Sequence, residues 1–193
     1  MPGDGYPLRL KGKKIAVLIE SDYYEHEIWY YHYRFPEEGA EVHFLSRLWG
    51  NKSLEFKGHE YKAPFACTMS FEDVRPTDYA AVIVPSGIVA DRLRYSETPT
   101  GIPPALKFLQ AAFAEKAVLK GIICHGMWLV AKAPALVKGR PVTCHNNLVG
   151  DVAAYGAKYT DQDVVVDGDL VTARTGDHAG LFAHTIIDLL TAK

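Results

Sequence analysis

Three short runs in this chain are almost wholly apolar: Lys14 to Ile19, Ala80 to Val84 and Val118 to Ile123. A strand that alternates apolar and polar residues can leave one face in water, whereas a run without a polar face needs cover on both sides. Segments of helical spacing lie between these runs and supply that cover. After the first run, Ile28, Tyr31 and Phe35 repeat at helical spacing, and Glu37-Glu38-Gly39 closes the helix with a glycine stop. Val42 to Leu45 is the next strand, so the chain opens as β-loop-α-β. Pro103 to Glu115 reads as a helix with prolines at its start and Leu106, Leu109, Ala112 and Phe113 on one face. Leu181 to Leu190 forms a terminal helix. Alternation of this kind predicts an α/β fold with a mostly parallel sheet and a site at the carboxyl ends of its strands.

The remaining segments are less regular. Ser46 to Met69 lacks helical periodicity and reads as a short hairpin or extended excursion, with a strand near Ala66 to Met69. Ser70-Phe71-Glu72-Asp73 has the form of a capping box opening a single turn before Pro76. Val142 to Cys144 is a short strand, and Leu148 to Ala154 a short helix stopped by Gly156. Val164 to Thr172 reads as two strands joined at Asp167-Gly168, the strongest hairpin signal in the chain. Met1 to Lys13 is expected to be a tail adding little to the core, with residues 14–193 forming one domain.

Charge and cysteine usage exclude several classes. The net charge is −2, from 21 basic and 23 acidic residues, with no basic stripe to follow a phosphate backbone, so nucleic acid is not an expected partner. No apolar run approaches the roughly 18 residues that would span a bilayer, and Met1 to Lys14 is unlike a signal peptide. A cytoplasmic protein without a membrane association is expected. Cys67, Cys124 and Cys144 make an odd set with no CxxC, which argues for free thiols rather than disulfides or structural zinc.

The apolar run ending at Ile123 meets Cys124 directly, and Leu129, Val130, Ala131 and Ala133 continue at once as a helix. A cysteine in such a strand-to-helix turn sits above the sheet beside the first free N–H groups of the helix, in the manner of a nucleophile elbow. The positive helix end favours thiolate, so Cys124 is expected to have a depressed pKa. Alternatively it is a small core hydrophobe at a strand end. His125 beside it can accept a proton, and Gly126 allows close backbone approach. Cys67 and Cys144 sit at no such junction and read as packing thiols. His145 and His178 lie in segments that should follow strands near the site. A metal centre there is disfavoured, since no His-x-x-x-His pair sets a ligand geometry; lone histidines are usually hydrogen-bonded pocket walls, and contact with substrate is a better functional reading than metal binding.

Several of these segments together resemble one family. Ile123-Cys124-His125-Gly126, the turn Val84-Pro85-Ser86-Gly87, Lys138-Gly139-Arg140 before a threonine-bearing strand, and Tyr155-Gly156-Ala157 through Asp167 look like the ThiJ/PfpI superfamily, the DJ-one group, nearest its PfpI/YhbO-like branch. The resemblance runs from about Lys14 to Leu190. It implies a flavodoxin-like three-layer sandwich and a homodimer or higher homo-oligomer. It also implies that Cys124 is the nucleophile and His125 its assistant, with a first-helix glutamate on the sulfur, Glu27 by position and Glu25 as second choice. A protonated carboxyl under an apolar lid could donate to a thiolate there; otherwise Glu27 is a solvated first-turn residue. The resemblance further implies an oxyanion hole from the N–H groups of His125 and Gly87, and an acidic residue, Asp91, that reaches the histidine from a neighbouring subunit. An exposed, salt-bridged Asp91 is the competing reading.

The chain departs from the family pattern at Ser86, where glycine is usual, at Met127-Trp128 after the elbow, and at Tyr31 in place of a helix proline. Tyr23, Tyr24 and His26 crowd the first loop, which predicts a narrower and more aromatic pocket. The function implied is cofactor-free thiol chemistry on small reactive carbonyl compounds, of the glyoxalase III or deglycase kind, through a thiohemiacetal. Alternatives are a cysteine peptidase, a hydratase, lyase or tailoring enzyme on a specialised metabolite, and a redox-sensing, chaperone-like dimer in which Cys124 is oxidised.

Overall fold

The computed structural model describes residues 7–192. Strands β1 (Lys14–Leu18), β2 (Glu41–Ser46), β5 (Met69–Ser70), β6 (Ala81–Val84), β7 (Leu119–Ile123), β10 (Val164–Asp167) and β11 (Leu170–Ala173) form one sheet in the order β10-β11-β7-β6-β1-β2-β5. Every neighbouring pair is parallel except β10 with β11, the hairpin signalled by Asp167-Gly168. The three apolar runs become adjacent central strands β1, β6 and β7, and β6 and β7 are buried at every position. With helices packed on it, the sheet forms a flavodoxin-like α/β sandwich, as expected.

Helix α1 (Glu25–Glu37) packs against the terminal helix α5 (Ala179–Thr191), while α2 (Val89–Leu93) packs on α3 (Pro104–Ala114). α1 ends where Gly39 takes φ +86°, a left-handed backbone that glycine adopts without penalty. Gly121 in β7 has no room for a side chain: a Cβ would lie 2.6 Å from Phe182 Cζ and 3.1 Å from Ile186 Cδ1 on α5. Overpacking of this sort costs about 1–3 kcal/mol. Gly121→Ala is therefore expected to lower the urea midpoint by a corresponding amount, and an unchanged midpoint would show slack between α5 and the sheet.

The irregular segments depart from expectation in instructive ways. The excursion does fold as a hairpin, β3 (Leu54–Lys57) with β4 (Pro64–Cys67), outside the main sheet. The capping box does not open a helix: Ser70 ends β5, its Oγ accepts the Glu72 N–H at 3.0 Å, and the helical turn, a 3₁₀ turn, comes at Pro76–Asp78. The segment after the elbow, Cys124–Lys132, is 3₁₀ rather than α. Its buried Cys124, Met127 and Val130 recur at a spacing of three, the 3₁₀ period, which nine residues scarcely distinguish from 3.6. Two elements were not foreseen, α2 and the pairing of β8 (Pro141–Val142) with β9 (Lys158–Tyr159). The strand expected over Val142 to Cys144 is thus confined to β8, and the short helix is α4 (Val149–Ala154).

Residues 1–6 of the expected N-terminal tail lie outside the described residues; of the rest, part is core. Leu10 is fully buried, and Arg9 binds both oxygens of Glu38, at 2.7 and 2.8 Å, and Asp188 at 2.9 Å. Arg34 joins Glu38 at 2.6 Å, and the hydrogen bond from Arg9, with Arg34 beside it, lowers the Glu38 pKa to about 2. A one-residue apolar anchor with a charged clamp carries no periodicity, so the pattern hid it.

Candidate active site

The chain runs from β1 outward through β2 to β5, then returns to lay β6, β7 and β11 on the other side of β1. Such a reversal leaves a crevice at the carboxyl ends of the strands. Four strand ends deliver residues to it: Asp22 and Tyr24 after β1, Ser86 and Gly87 after β6, Cys124 and His125 after β7, and Thr175, Gly176 and Asp177 after β11. Together with His59, Glu60, Ile88 and His145 they line a cavity of about 290 Å³.

Cys124 turns the chain out of β7 with φ +57°, a left-handed value that costs a non-glycine residue of order 1 kcal/mol or more. The turn seats the sulfur on the cavity floor, where backbone N–H groups of His125, Gly87 and Gly176 act on it. Two of these are the expected oxyanion donors; Gly176 is an addition. No side chain fits at Gly176, since a Cβ would fall 2.6 Å from the Tyr24 ring and 2.8 Å from Ser86 Oγ.

The depressed thiol pKa is not what this geometry produces. Burial pushes the Cys124 thiol up to about 11, the negative charge of Glu27 adds to the rise, and the three N–H groups do not offset them. The cause is loss of water at the sulfur, which disfavours the charged thiolate more than the N–H groups favour it. At neutral pH Cys124 is a thiol that needs a base. His125 Nδ1 lies 3.2 Å from its Sγ. The His125 pKa is lowered, by burial first and then by His145, so the ring is neutral and able to accept a proton. That ring is held on His145 at 4.5 Å and on Trp128 at 4.7 Å between centroids.

The two candidate glutamates separate cleanly. Glu27 is fully buried behind the site and acts on Cys124 through its charge, not through the expected hydrogen bond to the sulfur; its Oε2 accepts the Ser86 N–H at 2.9 Å and also the Ser86 hydroxyl. Burial raises the Glu27 pKa to about 7, against the opposing hydrogen bonds from Ser86 and Tyr31. Glu25 faces another way, accepting the Glu60 and Tyr61 N–H groups at 2.9 and 2.7 Å. Burial works against its charge, but these N–H groups prevail and its pKa is lowered. It pins the loop after β3 so closely that a Cβ on Gly58 would lie 2.1 Å from its carboxyl group. Ser86, the departure from the family's glycine, is thus the residue that holds Glu27.

Of the other expected residues, Tyr24 and His145 line the cavity. Tyr24 Oη donates to Asp177 Oδ1 at 3.1 Å. His178 does not line it: its Nδ1 is 2.8 Å from Thr175 Oγ1 and its Nε2 3.4 Å from Asp163. Trp128 lies outside the lining too and supports His125 from behind, with the Arg94 guanidinium 5.2 Å from its ring centre. Asp91 is exposed, pairs with Arg94 at 2.6 Å and does not reach the cavity of its own chain. Of the three first-loop rings, Tyr24 lines the cavity, whereas Tyr23 is buried in the core and His26 turns away to Tyr61 at 3.0 Å; the imidazoles of His59, His125 and His145 supply the other aromatic walls. Asp22, His59, Glu60 and Ile88 were missed because loops bring them in; the left-handed φ of +63° at Asp22 was the one local oddity, and sequence does not display it.

Cys67 donates from Sγ to Phe44 O at 3.3 Å, and Cys144 is fully buried, so both are core thiols. Among the described residues no group of three or more His, Cys, Asp or Glu is placed to hold a metal ion, and no helix is long and apolar enough to cross a membrane.

Comparison with known proteins agrees with the fold. The family model described as DJ-1/PfpI matches residues 13–189. Protein/nucleic acid deglycase 2 of Escherichia coli is 32% identical over 185 residues, covering 93% of this chain and 99% of that protein. Deglycase PfpI of Pyrococcus furiosus is 30% identical over 161 residues, covering 83% and 89%. Among solved structures, a two-domain protein of Anabaena variabilis with DJ-1/ThiJ/PfpI-like and ferritin-like domains superposes with a TM-score of 0.82 at 25% identity, over 92% of this chain and 48% of that one. Schizosaccharomyces pombe DJ-1 shares the fold at a TM-score of 0.76 and 19% identity, over 91% of this chain and 90% of its own. A match along nearly the whole folded chain, with relatives at 30% identity or above covering most of their own length, shows that this chain belongs to the DJ-1/PfpI family.

Proposed function

We propose that this chain is a cofactor-free enzyme that uses Cys124 on small reactive carbonyl compounds, by chemistry of the glyoxalase III or deglycase kind. The observation that carries the reading is the thiol 3.2 Å from a neutral imidazole, over a buried carboxyl group poised near pH 7. As the sulfur–carbon bond forms to an aldehyde carbon, the thiol proton passes to His125 Nδ1 and the carbonyl electron pair moves onto oxygen. The N–H groups of His125 and Gly87, which act on the sulfur, are the donors this reading assigns to that developing charge, and each such donor is worth about 3 kcal/mol in the transition state. Proton movement between the two adjacent carbons of a dicarbonyl, with His125 or Glu27 as the carrier, yields a thioester. Water then cleaves it to the hydroxy acid and free thiol, so methylglyoxal plus water gives lactate. General acid–base help of this kind supplies about 10²–10⁴ in rate.

Two features support a small substrate. The cavity of about 290 Å³ suits a compound of a few carbons rather than an extended peptide. Relatives named deglycases cover most of this chain. Incubation with methylglyoxal in the absence of glutathione is expected to release lactate in step with aldehyde loss. Aldehyde loss no faster than in buffer would overturn the reading.

A further inference from the structure

The wall of the Cys124 cavity carries three carboxylates, Asp22, Glu60 and Asp177, and no lysine or arginine among the described residues lines it. Asp22 is answered from outside: Arg92 holds its Oδ2 at 2.5 and 2.8 Å, and Lys62 lies 3.9 Å from Oδ1. The other two are not answered in this way. Among the described residues, Asp177 accepts the neutral Tyr24 hydroxyl at 3.1 Å and pairs with no basic side chain, and the basic group beside the Glu60 carboxylate is His59 Nε2 at 3.8 Å. Both act on the same Tyr24 hydroxyl, whose pKa is raised to about 12 by burial first and then by Asp177 and Glu60. Two carboxylates, Asp177 and Glu60, therefore line the same cavity as the Cys124 thiol and the His125 ring beside it.

A concave site bounded by protein concentrates the field of its charges, and this one is negative. We infer that the pocket selects carbonyl substrates that carry an ammonium or guanidinium group, held by Asp177 and Glu60 while the carbonyl carbon meets Cys124, and that it disfavours anionic carbonyls such as 2-oxo acids. The inference rests on the proposed use of Cys124, which it extends to substrate class. The cationic arm takes part in no bond change: the sulfur–carbon bond forms, the carbonyl pair moves to oxygen and the thiol proton goes to His125.

A measurement that needs no carbonyl turnover separates the two ideas. Methanethiosulfonates bearing aminoethyl, methyl or sulfonatoethyl groups are cationic, neutral and anionic. In each reaction the Cys124 thiolate attacks the sulfenyl sulfur, forms a mixed disulfide and expels methanesulfinate with the bonding pair. Rates at residue 124 are read by peptide mapping, apart from Cys67 and Cys144, and normalised to each reagent's rate with a small neutral thiol. At low salt the cationic reagent is expected to label at least about tenfold faster than the anionic one. The ratio should fall towards one in about 1 M salt, where charges are screened beyond about 3 Å. In the paired variant Asp177→Asn/Glu60→Gln it should lie within about twofold of one.

Equal normalised rates in the unaltered protein would overturn the inference, as would a ratio that survives in a paired variant with native circular dichroism. If the variant does not fold, the salt series on the unaltered protein decides: a ratio indifferent to salt overturns it, and one that collapses supports it. Charge-ordered labelling without lactate formation would sink the carbonyl reading and leave this one standing, and lactate formation with charge-blind labelling would do the reverse.

Discussion

Cys124→Ser is expected to reduce lactate formation from methylglyoxal by about 10³-fold or more, because a hydroxyl is a far weaker nucleophile than a thiol when its base is a neutral imidazole. The substitution is nearly isosteric and leaves the φ +57° turn, the three N–H groups and the core contacts in place, so the fold should survive. Retention of more than about a tenth of the activity would remove the sulfur from the mechanism. The thiol itself gives a companion reading. With its pKa near 11, the iodoacetamide rate at residue 124 should climb about tenfold per pH unit from pH 6 to 9. A plateau below pH 7 would mean that the N–H groups prevail over burial after all.

Glu27→Gln should produce three coupled changes. Turnover should fall by about 10²–10⁴, since glutamine offers no exchangeable acid proton. The alkylation profile of Cys124 should shift to lower pH, because the Glu27 charge opposes the thiolate. Stability should respond in the opposite sense to activity. Glu27 binds its proton more tightly folded than unfolded, with a pKa of about 7 against an ordinary 4.5. The native state is therefore not penalised below pH 4.5 and loses stability as pH rises to about 7, beyond which the loss stays constant. The full loss is about 3 kcal/mol. Glutamine keeps an oxygen for Ser86 and escapes that loss, so the variant should be the more stable protein at pH 8 and the gap should close at pH 4. Urea midpoints at the two pH values check this. A variant that loses turnover with no movement of the alkylation profile would point to a packing role for Glu27 rather than an acid–base one.

Much of this architecture was legible because burial on two faces leaves a plain trace. Ile15 to Leu18, Ala81 to Val84 and Leu119 to Ile123 are uninterrupted by charge except at Lys120, whose ammonium group reaches Asp169 at 2.5 Å. The cysteine junction and the Ser86-Gly87 turn were legible as well, since each sits at the end of a readable element, whereas Glu27 was singled out by the family resemblance alone. The walls formed by Asp22, His59, Glu60 and Asp177 were not, because their meeting depends on loop paths that leave no period in the chain. Ionisation of the thiol was misjudged for a different reason. A cysteine before a helix-like pattern suggests a dipole, but the balance turns on how completely water is shut out, and that is a property of the assembled pocket.

The lining of the Cys124 cavity is drawn from the ends of β1, β6, β7 and β11, from the β3–β4 hairpin and from the chain after β8. The sulfur's seat belongs to the sheet, whereas most of what touches an incoming molecule hangs on separate loops. Chemistry and selectivity are thereby uncoupled: one connection can be exchanged to admit a new compound while the reacting atom keeps its place.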